Sequence, residues 1–574
     1  MKRSHRIPTN VSRAPFLLVP RHNHSSLPPC DFLRFCSSFS DLKRLHASLL
    51  THGLELRLPL ATKLISLAAF LSPSMDYARK LFDVMPHRDS YLWNTLIRGY
   101  TTIGPCEEVP PLYRDMHRMG FSPDCFTFPF VIRSCSVISA IREGKQVHCN
   151  ILKNGFNSNV FAKSSLVTMY SQIGEIADSE LVFGEMGERS IVSWTAMIAG
   201  YAQNSLYLKA LGIFRQMIVT GLLPNEITIV SLLPACNSLE YLNLGTSMHA
   251  LVMKSGLNSF VSLLNALVAM YGKCGVMEAA NYLFDEMPAR CLVSWNTMIA
   301  VHEQNGDGTG AIKIFRRMVA EKLTFNPVTL VSVISACSNL GALETGKWVH
   351  DLAAKSGFET DSRVSNALLY MYAKCGSISS AENLFRKLLP SKCVIAWSSM
   401  IGAYAAHGHA EEALELFSRM EHEGVTPNTF TFTSVLTACS HSGLVEEGMK
   451  HFDSMKRDYN INPTLEHCAC MVDLLGRVGR PDEAYDFVKK MELKPDKAVW
   501  GALLGSCRMH GNVGIAELVV QDLLRLGLCN ISFCVIMANL YADYGRWEDA
   551  ARMRRKMKEQ ALKKTPGFSL VETD

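Results

Sequence analysis

Trp93, Trp194, Trp295 and Trp397 stand 101, 101 and 102 residues apart, and Cys135, Cys236, Cys337 and Cys439 keep the same steps. A third series reads SLVTMYSQIGEI from 165, ALVAMYGKCGVM from 266 and ALLYMYAKCGSI from 367. A fixed long period constrains architecture more than any local signal, because each copy is one supersecondary unit that must stack on its neighbours to bury its apolar face. Cut at equivalent points, one cycle gives units 90–124, 125–159 and 160–190, of 35, 35 and 31 residues. The next cycles run 191–225, 226–260, 261–291 and 292–326, 327–361, 362–393, and a last one runs 394–428, 429–464, 465–496. A partial cycle precedes them in 31–89 and ends with a short unit near 59–89.

Each unit reads as two helices. In 292–326, Trp295, Met298 and Ile299 share one helical face, and Ala311, Ile314, Phe315 and Met318 repeat the pattern after the turn NGDG at 305–308. The predicted fold class is all-α, a right-handed α-solenoid of stacked helix-turn-helix repeats with an inner groove. Its aromatic and Met stripes are expected to be core.

Composition sets the remaining bounds. With 574 residues, 48% of them apolar and 19% charged, the chain is folded and too long for one core. The net charge of +5 permits a polyanionic partner without requiring one. Eighteen cysteines contain no Cys-x-x-Cys, and Cys468 with Cys470 is the closest pair, so reduced thiols rather than a metal centre are expected. No apolar run is long enough to span a bilayer. Residues 1–30 carry Lys2, Arg3, Arg6, Arg13 and Arg21 with no acidic residue before Asp31, the composition of an organellar transit peptide, mitochondrial or alternatively chloroplastic.

The pattern W-[NTS]-x-[ML]-I-x-x-[YH], followed by A-x-x-[IL]-F-x-x-M and a terminal Pro-Asn or Pro-Asp, resembles the pentatricopeptide repeat (PPR). The alternation of long and short units resembles that family's plant PLS subclass, whose repeats read single-stranded RNA one base at a time. This implies that the fifth and last residues of each first-type unit form a base-reading pair: Asn94 with Asp124, Thr195 with Asn225, Asn296 with Asn326, Ser398 with Asn428. A short polar fifth residue is expected to point into the groove. All eight are competent hydrogen-bonding groups, although Ser, Thr and Asn near helix starts also serve as caps. The second residues Val192, Val293 and Ile395 resemble the family's base clamp, and Tyr91 departs from them in size. In the short units the corresponding residues are Lys63 with Asp89, Ser164 with Ser190, and Asn265 and Asn366, which face Cys291 and Cys393; no base is assigned to these. The family's code implies U, A, C and A, each separated by two unread bases.

Segments 497–530 and 531–567 resemble the two E motifs that follow such arrays in organellar editing factors, with 568–574 as a tail. The implied function is site recognition for C-to-U RNA editing, with the deaminase supplied by another protein through 497–567 and the target four nucleotides 3′ of the base facing 465–496. A zinc deaminase needs His-x-Glu with Pro-Cys-x-x-Cys. Here the one His-x-Glu, His409 to Glu411, lies in an inter-helix turn. No intrinsic enzyme, cofactor or metal is therefore expected, and the chain is expected to act as a monomer on RNA. Two alternatives remain: a factor for RNA splicing, stability or translation without editing, and a tetratricopeptide-like scaffold that grips proteins.

Overall fold

The computed structural model describes residues 36–559, apart from 37, 55–56, 73, 238–240, 389–392 and 527–530. Residues 1–30, the end of the second E-like segment beyond 559, and the tail lie outside the described residues. Among the described residues every regular element is a helix, as the α-solenoid class requires. No helix there is long and apolar enough to cross a membrane. The chain divides into two units, Met1–Cys236 and Asn237–Asp574.

In the first unit, Ser90–Thr102 pairs with Val109–Arg118, Val160–Ile173 with Ile176–Gly184, and Ile191–Gln203 with Tyr207–Val219. In the second, Leu292–Gln304 pairs with Gly308–Ala320, Pro327–Leu340 with Leu343–Lys355, and Ser362–Lys374 with Ile378–Lys387. The same pairing continues through Val394–Ala406 with Ala410–His422, Thr429–Ser442 with Val445–Arg457, and Leu465–Arg477 with Pro481–Lys490. In the second unit, short repeats differ from long ones in the second helix. It has 10 residues in Met277–Glu286, Ile378–Lys387 and Pro481–Lys490, against 13 in Gly308–Ala320 and Leu343–Lys355. Removing about one turn, 3.6 residues, returns the apolar stripe to the same face, so a shorter hairpin still docks.

The period is written in the core. Trp93, Trp194, Trp295 and Trp397 are buried, and each meets a phenylalanine of the preceding short repeat edge to face: Phe82, Phe183, Phe284 and Phe385, at ring-centroid distances of 4.7, 5.2, 5.0 and 5.2 Å. Such pairs add about 0.5–1.5 kcal/mol beyond the area they bury. Arg88, Arg189 and Arg290 then lie over the same rings at 4.7, 4.6 and 5.1 Å and donate Nε–H to the carbonyls of Phe82, Phe183 and Phe284. One residue thus stacks on the ring and donates to a carbonyl in the last turn of the same helix.

Successive first helices pack along one another more extensively than successive second helices do. Within each unit the first helices therefore line the inner face. In the second unit a core running from Val472 and Leu475 through Trp500 and Leu504 to Met537 and Tyr541 joins the last short repeat to Lys497–His510, Val513–Arg525 and Ile531–Asp543. These hairpins extend the stack.

Candidate nucleic-acid interface

The second and fifth residues of a first helix are i and i+3 and share its surface stripe. Tyr91, Val192, Val293 and Ile395 occupy the second position and are 70, 57, 59 and 55% exposed. Apolar side chains this open stand outside the core, and a flat hydrophobic partner would cover them. The same register extends to repeats where no clamp was expected: Phe126, Phe161, Ile227, Val328 and Phe430 are also large, apolar and exposed. Their signal was available in the sequence, because each is the second residue of its unit.

The fifth residues lie differently from expectation. Asn94, Thr195 and Ser398 are 9, 7 and 1% exposed, and Asn296 is half-buried. They do not project freely into the groove but sit at the seam between successive first helices. The reason is a buried threonine, the third residue of the next repeat. Thr127 Oγ1 lies 2.6 Å from Asn94 Oδ1, Thr228 Oγ1 2.7 Å from Thr195 Oγ1, Thr329 Oγ1 2.6 Å from Asn296 Oδ1, and Thr431 Oγ1 2.7 Å from Ser398 Oγ. A polar group taken out of water in this way needs its partner.

The last residues Asp124, Asn225, Asn326 and Asn428 are half-buried and come to the same seam. Asn94 Nδ2 donates to Asp124 Oδ1 at 3.0 Å and Oδ2 at 3.1 Å, and Asn296 Nδ2 donates to Asn326 Oδ1 at 3.3 Å. Each last residue also accepts from the backbone N–H of the threonine, at 2.9 Å for Thr127, Thr228 and Thr431 and 3.0 Å for Thr329. At Asp124 and Asn326 the oxygen that caps the next helix also accepts from the fifth residue, whereas Thr195 and Ser398 reach Asn225 and Asn428 only through Thr228 and Thr431.

Farther along the second unit the inner face carries a cavity of about 340 Å³ lined by Tyr370, Lys374, Phe430, Thr433 and Ser434 among others. Tyr370, Gly402 and Thr433 come from the first helices of three successive hairpins, Ser362–Lys374, Val394–Ala406 and Thr429–Ser442, so the space is a groove between repeats.

The PPR repeat matches residues 262–292, 293–323, 364–389, 430–459 and 467–494, the PPR repeat family matches 88–136, 189–238 and 392–441, and the E motif matches 510–572. A putative mitochondrial pentatricopeptide repeat-containing protein of Arabidopsis thaliana is 42% identical over 84% of this chain and 77% of its own length. The chain belongs to the pentatricopeptide repeat family. Its repeats and E motif place it in the plant E subgroup. A second Arabidopsis relative, also named mitochondrial, is 39% identical over 84% of this chain and 75% of its own length, and one named chloroplastic is 37% identical over 94% and 67%. In fold, the chain is similar to the maize pentatricopeptide repeat protein PPR10, with TM-score 0.58, 18% identity and coverage of 94% of this chain and 87% of that one. The same protein in complex with an 18-nt psaJ RNA element gives TM-score 0.58 at 16% identity, over 92% and 91%.

The short PPR units build looser pairs. Asn366 Nδ2 lies 3.3 Å from Cys393 Sγ and Asn265 Nδ2 lies 3.9 Å from Cys291 Sγ, while Asn265 Oδ1 is buried with no partner. Burial pushes the Cys291 thiol up, but hydrogen bonds from Ser294, Val293 and Asn265 outweigh it and hold the thiol below its ordinary value. Ser164 donates to its own helix at Val160, Ser190 accepts from Ser193 N–H, Lys63 is exposed, and Asp89 accepts from Leu92 N–H. His409 is exposed beside Glu412, and among the described residues no three His, Cys, Asp or Glu side chains gather as metal ligands.

Proposed function

We propose that this PPR protein binds single-stranded organellar RNA along its first helices and selects a cytidine for C-to-U editing by a deaminase supplied in trans. The observation that carries the reading is the fourfold recurrence of one assembly: an open second residue beside a fifth and a last residue that are bonded directly or through the threonine of the next repeat. An exposed apolar side chain suits the face of an unstacked base, and stacking of this kind contributes about 1–3 kcal/mol per base. The neighbouring polar pair suits its hydrogen-bonding edge. PPR10 with its bound RNA element, a protein of similar fold, adds support for RNA as the ligand.

Editing rests on the E motif. In the proposed register the A read by Ser398 and Asn428 lies six nucleotides upstream of the edited cytidine, the C read by Asn296 and Asn326 nine, the A read by Thr195 and Asn225 twelve, and the U read by Asn94 and Asp124 fifteen. Trp547, 68% exposed in the E region, gives the partner protein an aromatic anchor. The site of action is an organelle, the mitochondrion in our reading, as for the relatives named mitochondrial. Sequencing organellar transcripts in a loss-of-function plant tests this. An unedited cytidine behind that pattern supports editing; defective splicing or transcript levels with every cytidine edited would instead assign the chain to RNA processing without editing.

A further inference from the structure

The buried threonine at the third position of each second-type repeat recurs at Thr127, Thr228, Thr329 and Thr431, each 33 residues after the fifth residue it touches. A hydroxyl has one proton to give and lone pairs to accept with. Assigning that single proton fixes what each reading pair has left for a ligand.

At Asn225, Oδ1 accepts from Thr228 N–H at 2.9 Å, which identifies it as the oxygen, and lies 2.7 Å from Thr228 Oγ1. An amide oxygen cannot donate, so the proton of Thr228 goes there. The 2.7 Å contact between Thr195 and Thr228 must then be donated by Thr195. Thr195 keeps only an acceptor, and the Nδ2 of Asn225 remains a donor. Thr431 likewise gives its proton to Asn428 Oδ1 at 2.9 Å, and Ser398, whose one proton serves Thr431 or the Val394 carbonyl, keeps only an acceptor in either case. One acceptor plus one donor, beside a short side chain that leaves room for a purine, matches the N6–H and N1 of adenine.

Asparagine at the fifth position comes out reversed. The Asp124 carboxylate only accepts, so the atom of Asn94 facing it is Nδ2, and Oδ1 faces Thr127. Thr127 Oγ1 lies 2.6 Å from Asn94 Oδ1 and 2.9 Å from Asp124 Oδ1; neither oxygen can donate, and its one proton goes to the shorter contact, at Asn94. Asn94 keeps one N–H, and Asp124 Oδ2 keeps accepting capacity: donor plus acceptor, the complement of uracil O4 and N3–H. At Asn296 the Thr329 proton again goes to the shorter contact, at Asn296 Oδ1, but Asn326 Oδ1 is occupied by the backbone N–H of Thr329 and by Asn296 Nδ2, so two donors remain, the complement of cytosine N3 and O2.

We propose that these threonines set the hydrogen-bond polarity of the preceding pair, making the third residue of the following repeat a specificity-determining positioning residue. The inference rests on the base-reading function proposed above. The short repeats show the contrast. Ser294 is bonded to Cys291, leaving Asn265 Oδ1 unpartnered, and residue 396 after Asn366 is an alanine. Those pairs have no imposed polarity.

The test uses the full chain and RNA oligonucleotides carrying the U, A, C, A pattern, with all four bases placed in turn opposite Thr195 and Asn225. The wild-type chain is expected to prefer A there by about tenfold, the lower end of one base contact. Thr228→Val removes the acceptor of the Thr195 proton, and preference at that base alone should fall to about twofold or less, with unchanged selection at the other three. Thr228→Ser should restore it. Uniform weakening toward all four bases, or unchanged preference in Thr228→Val with its helix content intact, overturns the proposal. A wild-type chain with no preference at any of the four bases overturns instead the base-reading function on which it rests.

Discussion

If the proposed base reading holds, Asn225 is the residue at which helix capping and selectivity separate most cleanly. Its Oδ1 caps the next helix through Thr228, and only its Nδ2 is left for a base. Asn225→Asp keeps the capping oxygen and turns the remaining donor into an acceptor. Two acceptors match the N1–H and N2–H of guanine, so affinity for an RNA with A at that position should fall about tenfold and affinity for G rise correspondingly, measured by fluorescence anisotropy. Val192→Asp should weaken binding to every base at that position alike, by roughly one stacking contact of about 1–3 kcal/mol, because it removes the apolar face without touching the reading pair. The four pairs were legible in the sequence as positions, since a polar residue recurs after each buried Trp. Their burial was not. It depends on threonines in the next repeat, and the constant spacing of 33 residues becomes meaningful only when the first helices are seen to lie side by side.

A repeat element tolerates variation on its face but not at its seams. Gly272, in the first helix of a short repeat, faces the next hairpin, and a Cβ there would stand 2.4 Å from both methyl groups of Val301. Valine is stiff at χ1 and cannot swing aside. Gly272→Ala should therefore destabilise by about 1–3 kcal/mol, seen as an earlier urea transition, whereas Gly212→Ala, with nothing within 4 Å, should be neutral or slightly stabilising. Helix pairing was readable from the apolar period because the same Trp and Phe contact returns in every cycle. The basis of the short unit was not, because a lost turn leaves the apolar stripe in phase and so leaves no break in the pattern.

At the scale of the molecule, the histidines couple stability to pH. Burial lowers the pKa of His117, His148, His249, His451 and His467 below the ordinary value, with the backbone carbonyl of Thr429 partly opposing it at His467. The unfolded chain then binds more protons than the folded one as pH falls through about 6.5, so stability is complete above that value and declines below it. The melting temperature should drop between pH 7 and pH 5 and change little between pH 7 and pH 8. His148 and His249 each meet a tyrosine hydroxyl at 3.0 Å, Tyr170 and Tyr271, and His148→Gln should flatten part of that profile. Binding to RNA should also weaken as salt rises, because each phosphate contacted by a Lys or Arg releases condensed counterions.

The central claim is that successive repeats read separate bases of one strand. Its most direct measurement is the affinity of the full chain for a single-stranded RNA of U, two arbitrary bases, A, two arbitrary bases, C, two arbitrary bases and A, against RNAs in which those four bases alone are exchanged. We expect each exchange to weaken binding about tenfold and independently of the others, with the intervening bases nearly silent. Equal affinity for the exchanged and original strands, or greater sensitivity at the intervening bases, would contradict it.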